Sequence, residues 1–474
     1  MRPTTGDERI RITIKITIKI TIKQGIHQQN CHAPLCGLCL RLNWFADFAR
    51  VRILDNRRDQ PMNEIKQCGE PDAGWHRVRC DERMPEAAVI RPKSLLCSRR
   101  EFIGTATAFA ATSGCMTQKE PEVVTKAEPV AKWKPFPGTK RVRVVQWGMC
   151  HEHAEGKFQS LKRLPDDFEL VGIVDDRASK TLREARNFKC YDAVPRLTPE
   201  QVWADKSIQC VFVEVSNDDL PDIAWECAKH GLAMHMDKPT GQSYPRYAAL
   251  ADYCRARGIP LQMGYMFRVN PAIRFATKAV REKWIGEINF IEADMNHSYG
   301  SAQYEPYIGS FSGGLLYNLG CHLVDFILPM MGDKAPLRAH PVQLTASGSR
   351  PGVKTNGASI LEWEHGMALV RACSKSPCGS RRLKIDGTRG SIEVCPIERF
   401  DGKPTTLSLR LNQDVPGYKK GTHTVDCGVQ KDRYADQLKE FAEIVRGDRP
   451  NPDYYQHDIE VSKTTLMACG MKLD

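Results

Sequence analysis

Two short stretches of the chain carry side chains that can take up a proton or steady a developing negative charge. Asp237-Lys238-Pro239 follows a short run, Ala233-Met-His-Met236, and presents an ammonium beside a carboxylate. Asn318 and His322 stand four residues apart in an apolar stretch, so on a helix they share one face, one turn apart. Imidazole titrates near working pH, which makes His322 the candidate base. An ammonium donor aimed at an oxygen stabilises an alkoxide forming there, which is the chemistry open to Lys238. A lone Lys is ordinarily a solvated charge and a lone His a core ring; the strand end and the adjoining Pro set Lys238 apart.

These groups need a scaffold, and the chain before them supplies a recognisable order. Val142, Val144 and Val145 form a β-branched run that ends at Trp147-Gly148; Phe158, Leu161 and Leu164 then recur at helical spacing. A second strand, Phe168 to Val174, ends in Asp175-Asp176. Strand, tight turn, helix, strand and acid is the order of a dinucleotide-binding unit. In such a unit the pyrophosphate meets backbone N–H groups at the helix N-terminus, and the acid accepts from the adenosine ribose. Asp175 lies 22 residues after His153, close to the expected gap. A carboxylate there repels a 2′-phosphate, so NAD is favoured over NADP. The glycine fingerprint is eroded: Gly148 is present, but Cys150 and His153 stand at the next two positions. His151 and His153 are assigned to the phosphate or substrate side.

The alternation continues through a strand at 209–215, a helix opened by Ser216-Asn217-Asp218 and Pro221, the strand before Asp237, a helix from Tyr247 to Arg257, and a strand from Ile259 to Met263. Ligands bind a doubly wound sheet at the carboxyl ends of its strands, where Gly148, Asp175, Asn217 and Lys238 all fall.

Asp-Lys-Pro at 237–239, Gly-Tyr-Met-Phe-Arg at 264–268 and Gly-Gly-Leu-Leu-Tyr-Asn-Leu-Gly-Cys-His-Leu-Val-Asp at 313–325 occur in an order that resembles the glucose-fructose oxidoreductase/inositol dehydrogenase/rhizopine catabolism (Gfo/Idh/MocA) family. The resemblance covers residues 140 to 474. It implies an α/β Rossmann domain over 140–263, followed over 264–474 by an α+β substrate domain with an open, mostly antiparallel sheet. It implies that Lys238 bonds the reacting hydroxyl and the nicotinamide ribose, and that His322 takes the hydroxyl proton. Where the family carries Asp before its His, this chain has Asn318, which orients or contacts substrate but holds no charge; Asp325 is a second potential partner for His322. Tyr265, Arg268 and the turn Asn270-Pro271 resemble the family's binding segment. The implied reaction is NAD(P)-dependent oxidation of a secondary alcohol on a sugar or cyclitol. An NAD-dependent glycoside hydrolase working by transient oxidation, and a non-catalytic nucleotide- or sugar-binding homologue, are the alternatives. The open sheet implies contacts between copies of the chain.

The pattern after residue 285 agrees, with strands at 287–295, 342–347, 359–363, 368–372, 383–385, 391–394 and 407–411 and an amphipathic helix at 433–445.

The net charge of +11 points superficially to nucleic acid. Residues 1–118 hold 19 Lys and Arg against 12 Asp and Glu, and the remainder 49 against 45, so the excess sits mostly outside the folded body. No apolar run reaches the roughly 20 residues of a spanning helix. Of 18 cysteines, the eleven after residue 118 form no Cys-x-x-Cys pair, and Cys31, Cys36, Cys39 and His32 lack the second half of a metal site, so no metal is assigned.

Residues 1–92, with Ile-Thr-Ile-Lys copied in tandem, read as an extension upstream of the true start, with Met62 or Met84 as initiators. Residues 93–118, with Arg99-Arg100, Phe102 and a short small-residue stretch, resemble a twin-arginine export signal. This places the protein in the periplasm, or in the cytoplasm if the signal is silent. Gly114-Cys115 resembles a lipoprotein cleavage site, although Thr112 stands where Leu is favoured. Residues 119–139 read as a solvated linker. Deleting residues 1–83 is expected to leave export intact; comparison of periplasmic fractions of truncated and full-length protein checks this, and loss of export on truncation means that the extension has a function.

Overall fold

The computed structural model describes residues 132–176, 188–299, 301–376 and 381–474; the extension, the export signal and Cys115 lie outside them. The first half runs β1 (Val142–Trp147), α1 (Ala154–Lys162), β2 (Phe168–Val174), β3 (Arg196–Leu197), α2 (Pro199–Ala204), β4 (Cys210–Val213), α3 (Leu220–Lys229), β5 (Ala233–Met236), α4 (Tyr244–Arg257) and β6 (Leu261–Met263). All pair in parallel in the order β3-β2-β1-β4-β5-β6, the doubly wound dinucleotide arrangement, with the order reversing between β1 and β4. Every residue of β4 and β5 is buried, as expected of parallel strands covered on both faces. Even His235 of β5 is buried, its Nδ1 bonded to Gln262 Oε1 at 2.8 Å.

The sequence reading missed β3, which has two residues, and α2, whose signal was present. Thr198 accepts from the Gln201 N–H and the Gln201 side chain accepts from the Thr198 N–H, with Pro199 in the first turn, forming a capping box.

The second half begins with α5 (Pro271–Arg281), then β7 (Ile288–Met295), α6 (Ser301–Gly309), α7 (Gly314–Met330), β8 (Arg338–Leu344), β9 (Asn356–Glu362), β10 (Met367–Cys373), β11 (Arg381–Gly387), β12 (Gly390–Val394), β13 (Thr406–Leu411) and β14 (Gly421–Asp426). Eight strands form an open sheet in the order β14-β13-β12-β11-β7-β10-β9-β8; β7 and β10 pair in parallel and the other neighbours antiparallel. Alternate residues of β9, β10 and β13 are buried, the mark of one covered face, and α7 packs on β7, β9 and β10. β8 starts four residues earlier than expected because Pro341, which usually bars a central strand, is tolerated on an edge. β14 was missed because its sequence, Gly-Thr-His-Thr-Val-Asp, has a single buried residue and so no apolar alternation.

The chain then returns to the first sheet. Helix α8 (Ala435–Arg446) lies against β1 and α1, and α9 (Tyr455–Ala468) against α4 and α7. Phe441 of α8 packs on Phe212 of β4, and the Gln437 side chain donates to the Met263 carbonyl at 2.8 Å. The sequence reading missed α9 because its buried face carries Asp458, Ser462, Thr464 and Thr465, which break the apolar stripe. The expected solvated linker also ends sooner than residue 139. The Trp133 N–H donates to the Arg257 carbonyl (2.8 Å) and the Phe136 N–H to the Val445 carbonyl (3.0 Å), pinning 132–139 to the body. No helix among the described residues is long and apolar enough to cross a membrane.

Candidate active site

Gly148 ends β1 with φ +101°, and a Cβ there would lie 2.6 Å from the Glu214 backbone carbonyl at the end of β4. Only glycine tolerates both the dihedral and the approach. The His151 N–H donates to that same carbonyl (3.1 Å), so the loop from 148 to 153 crosses the end of β4 at the switch point.

Beneath this loop lies a buried charge cluster that the sequence reading did not anticipate. Lys157 Nζ sits 2.8 Å from Asp237 Oδ2 and 3.0 Å from Glu214 Oε1, all three side chains without solvent exposure. His151 Nδ1 lies 3.0 Å, and His153 Nδ1 3.1 Å, from the same Asp237 carboxylate. Burial works against the Asp237 charge, but His151, Lys157 and His153 outweigh it and hold its carboxyl well below the usual range. Burial likewise opposes the Lys157 charge, and Asp237 with Glu214 raises its pKa nonetheless. Glu214 is driven up by burial and by Asp237. His151, His153 and Asp237 offer three ligand atoms within 4.8 Å of one another. The Lys157 ammonium, already against that carboxylate, is the cation this group holds. A signal for it existed: Lys157 occupies the buried stripe of α1 with Ala154, Phe158 and Leu161, a lone charge among apolar positions.

Lys238 follows directly, its N–H donating to Asp237 Oδ1 (2.6 Å) and its buried ammonium donating to the Asn318 backbone carbonyl (2.9 Å) and Oδ1 (3.0 Å). Asn318 Nδ2 in turn donates to the Tyr304 hydroxyl (2.8 Å), while the Tyr307 hydroxyl donates to Asn318 Oδ1 (3.3 Å) and accepts from Asn217 Nδ2 (3.0 Å). Asn318 therefore anchors Lys238 instead of orienting His322, although both lie on α7 as the spacing predicted. His322 is 1% exposed, and among the described residues neither ring nitrogen has a hydrogen-bond partner. Its ring is walled by Tyr265 (6.1 Å, edge-on) and Phe267 (5.7 Å). Burial, then the Lys238 charge, pushes the imidazole well below its ordinary pKa. Lys238 itself is lowered by burial.

Four expected site residues find structural partners of their own. Arg268 has its guanidinium clamped between Asp325 (2.7 Å) and Asp458, tying α7 to α9. Asp325 serves that clamp and His457 (3.0 Å), not His322, because its Oδ1 is already taken by Arg268 and His457. Tyr265 is buried under Arg268 and forms a wall of the His322 pocket instead of a surface for substrate. Asn270, read with them as a binding turn, caps α5 by accepting from the Ala272 and Ile273 N–H groups.

On the other side of the loop, a cavity of about 500 Å³ opens at the ends of β1 and β2, lined among others by Trp147, Asp175, Asp176, Thr198, Asp219 and Asp222. Asp176 Oδ1 accepts from the Met149 N–H (2.7 Å) and so holds the loop, while Asp175 lies 3.9 Å from Arg196 Nε. Between this cavity and Lys238 lies a smaller hollow lined by Cys150, His151, Ser216, Asn217 and Tyr307. Among the described residues, Asn217 Oδ1 and His151 Nε2 have no hydrogen-bond partner.

A doubly wound sheet with an acid-lined cavity at its strand ends, and a Lys past β5 facing a helix that carries a buried His, is the arrangement of a dinucleotide-dependent oxidoreductase class. Comparison with known proteins narrows it. Residues 143–265 match the family described as "Oxidoreductase family, NAD-binding Rossmann fold", and residues 273–393 the "GFO/IDH/MocA C-terminal domain". The chain belongs to the Gfo/Idh/MocA family of NAD(P)-dependent oxidoreductases. It is similar to D-xylose 1-dehydrogenase (NADP(+)) 2 of Haloferax volcanii, 25% identical over 268 residues, or 56% of this chain and 78% of that protein. It is also similar to D-apiose dehydrogenase of Paraburkholderia graminis, 23% identical over 246 residues, or 50% of this chain and 63% of that protein. The fold matches an Agrobacterium radiobacter oxidoreductase solved with NAD+, L-tartaric acid and magnesium (TM-score 0.55, 16% identity, 69% of this chain and 94% of that one).

Replacing Lys157 with Met leaves Asp237 and Glu214 buried without their counter-charge, which is expected to cost about 3–5 kcal/mol. Urea unfolding of the variant measures this, and a loss under about 1 kcal/mol would assign the pairing elsewhere.

Proposed function

We propose that the protein reversibly oxidises a secondary alcohol of a sugar or cyclitol, with His322 as the base and Lys238 as the group that steadies the oxygen. The observation carrying this reading is the buried His322 ring, whose two nitrogens lack partners among the described residues, beside an ammonium held in place by Asn318. A buried polar group left unmatched costs about 1–3 kcal/mol, so such a ring is built to receive a polar guest.

The residues present fit NAD. The 500 Å³ cavity takes the adenosine end, with Asp175 for the ribose; Cys150, His151 and Asn217 line the side toward which the phosphates and nicotinamide would extend, where the hollow must widen to admit them. Bound there, the nicotinamide supplies the acceptor for the hydride. The carbinol carbon gives up its hydride, a His322 ring nitrogen takes the hydroxyl proton, and the ketone remains. Lys238 donates to the oxygen as its charge grows. The preference for NAD over NADP rests on Asp175, Asp176, Asp219 and Asp222 around one cavity, where a 2′-phosphate meets repulsion. Export through the twin-arginine segment, a lipid on Cys115, and assembly of copies through the open sheet belong to the same proposal. They are supported by Arg99-Arg100, by Gly114-Cys115 and by the exposed Val342 and Leu344 of β8.

His322→Ala is expected to lower turnover roughly 10²–10⁴-fold with NAD still bound. Because the imidazole pKa is held well below 6.5, activity should be gained as pH rises through that lowered value, so the acid limb of kcat/KM lies below pH 6.5. The Lys238 pKa is lowered by burial, so the alkaline limb, where its proton is lost, lies below pH 10.5. Wild-type turnover in the variant would remove His322 from the mechanism.

Asp175→Ala is expected to weaken NAD more than NADP, as read by titrating both cofactors. An unchanged preference would assign the ribose to another acid.

A further inference from the structure

The wall of the site opposite the cofactor half contains more positive charge than oxidation of a neutral alcohol requires. From Lys238 a continuous line of contacts leads outward. Asn318 bonds Tyr304, whose ring stacks on Tyr299 at 3.8 Å; Tyr299 stacks on His297 at 4.4 Å; and Arg381 Nη2 donates to His297 Nε2 at 3.1 Å. Arg381, at the start of β11, also pairs with Glu398, and Arg433 donates to the same carboxylate through Nη2 (2.6 Å) and Nε (3.2 Å). One carboxylate thus serves two guanidiniums, one of them with a side chain only 13% exposed.

The other charges nearby are committed. Asp237 faces Lys157, His151 and His153; Glu305 pairs with Lys375 at 2.9 Å; Glu292 pairs with Arg382 at 3.1 Å. His297 must stay neutral to accept from Arg381. Burial, then the charges of Arg381, Arg433 and Lys238, pushes it down to about 3. Burial and Arg433 push Arg381 down to about 10. The guanidinium is tied to the reacting centre by the contacts from His297 through Tyr299 and Tyr304 to Asn318, which holds Lys238. Among the described residues, the one carboxylate paired with these two guanidiniums is Glu398. A guanidinium fork matches the planar oxygens of carboxylate or phosphate.

We infer that the sugar oxidised at His322 carries an anionic oxygen group, carboxylate or phosphate, which binds along the Arg381–Arg433 side of the pocket while the reacting hydroxyl lies between Lys238 and His322. This rests on the oxidoreductase reading above and names its substrate class. The anion completes a set of two guanidiniums and one carboxylate, and its distance from Lys238 sets which hydroxyl reaches the base.

The test uses the whole protein with NAD and five probes: D-glucose and myo-inositol as neutral sugars, D-glucuronate and D-gluconate as carboxylates, and glucose 6-phosphate as the phosphate. NADH formation and calorimetric binding are both read. A carboxylate or the phosphate is expected to bind at least about tenfold more tightly than the neutral sugars, and whichever does identifies the anion. Arg381→Gln should raise KM for that probe about 10- to 100-fold, the worth of a hydrogen bond to a charged group, with little change in kcat or in NAD affinity. Arg381→Lys should recover part of the loss. If Arg381→Gln does not fold, Arg433→Gln, at a more exposed side chain, gives the same reading. Equal or tighter binding of neutral sugars, no binding of any anionic probe, or an unchanged KM in the Arg variants overturns the inference while leaving alcohol oxidation intact. Tight anionic binding that is lost in Arg381→Gln, without NADH from any probe, upholds this site and overturns the oxidation.

Discussion

The ammonium of Lys157 is the contact on which the site depends. It comes from α1, whereas its two carboxylate partners, Glu214 and Asp237, terminate β4 and β5, so one cation fixes three elements across the switch point. Gly264, just past β6, completes the enclosure, since a Cβ there would come within 2.9 Å of both Asp237 Oδ1 and Lys157 Nζ. Taking these charges out of water is costly, and mutual pairing is what makes it tolerable. The benefit falls on the next residue. With Asp237 immobilised, the backbone of Lys238 is immobilised too, and its side chain has one direction in which to find Asn318.

A second buried cation, Arg268, does comparable work for the other half. Between Asp325 of α7 and Asp458 of α9 it sets the position of the helix that carries Asn318 and His322. One cluster thus fixes Lys238 and the other the helix that carries His322. Burial and the Lys238 charge together hold the His322 imidazole neutral, against the smaller opposing pull of Asp237.

Much of this could be read in advance, and the failures share a cause. The Rossmann alternation was legible because parallel strands covered on both faces read as apolar runs, and Asp175, Asn217 and Lys238 fell at their ends as the topology demands. Lys157 was hidden in plain view because a single Lys in a helix is ordinarily a surface charge. Arg268 was assigned to substrate because a sequence does not show that Asp458, from a helix without a clean apolar stripe, will arrive to neutralise it. Helix α9 and strand β14 were missed for the same reason: their burial is decided by polar residues satisfied through tertiary partners, which periodicity does not register. The role of Asn318 changed most, since its spacing to His322 was right but its bond goes to Lys238.

The return of α8 to the first sheet, and of α9 to α4, has a consequence for how the molecule is made. The dinucleotide-binding sheet is covered by Phe441 and Leu438 and joined through Gln437 to the end of β6. The strap at Trp133 and Phe136 closes on α4 and on the carbonyl of Val445. A ribosome that has finished β6 has therefore released every strand of the nucleotide sheet but none of the helices that close its flank. The unit drawn first in the sequence becomes complete last, when the final turns emerge. A truncation near the carboxyl end would strip α9 from α4 and from β8 and β9 of the open sheet together, so both halves would lose a support at once.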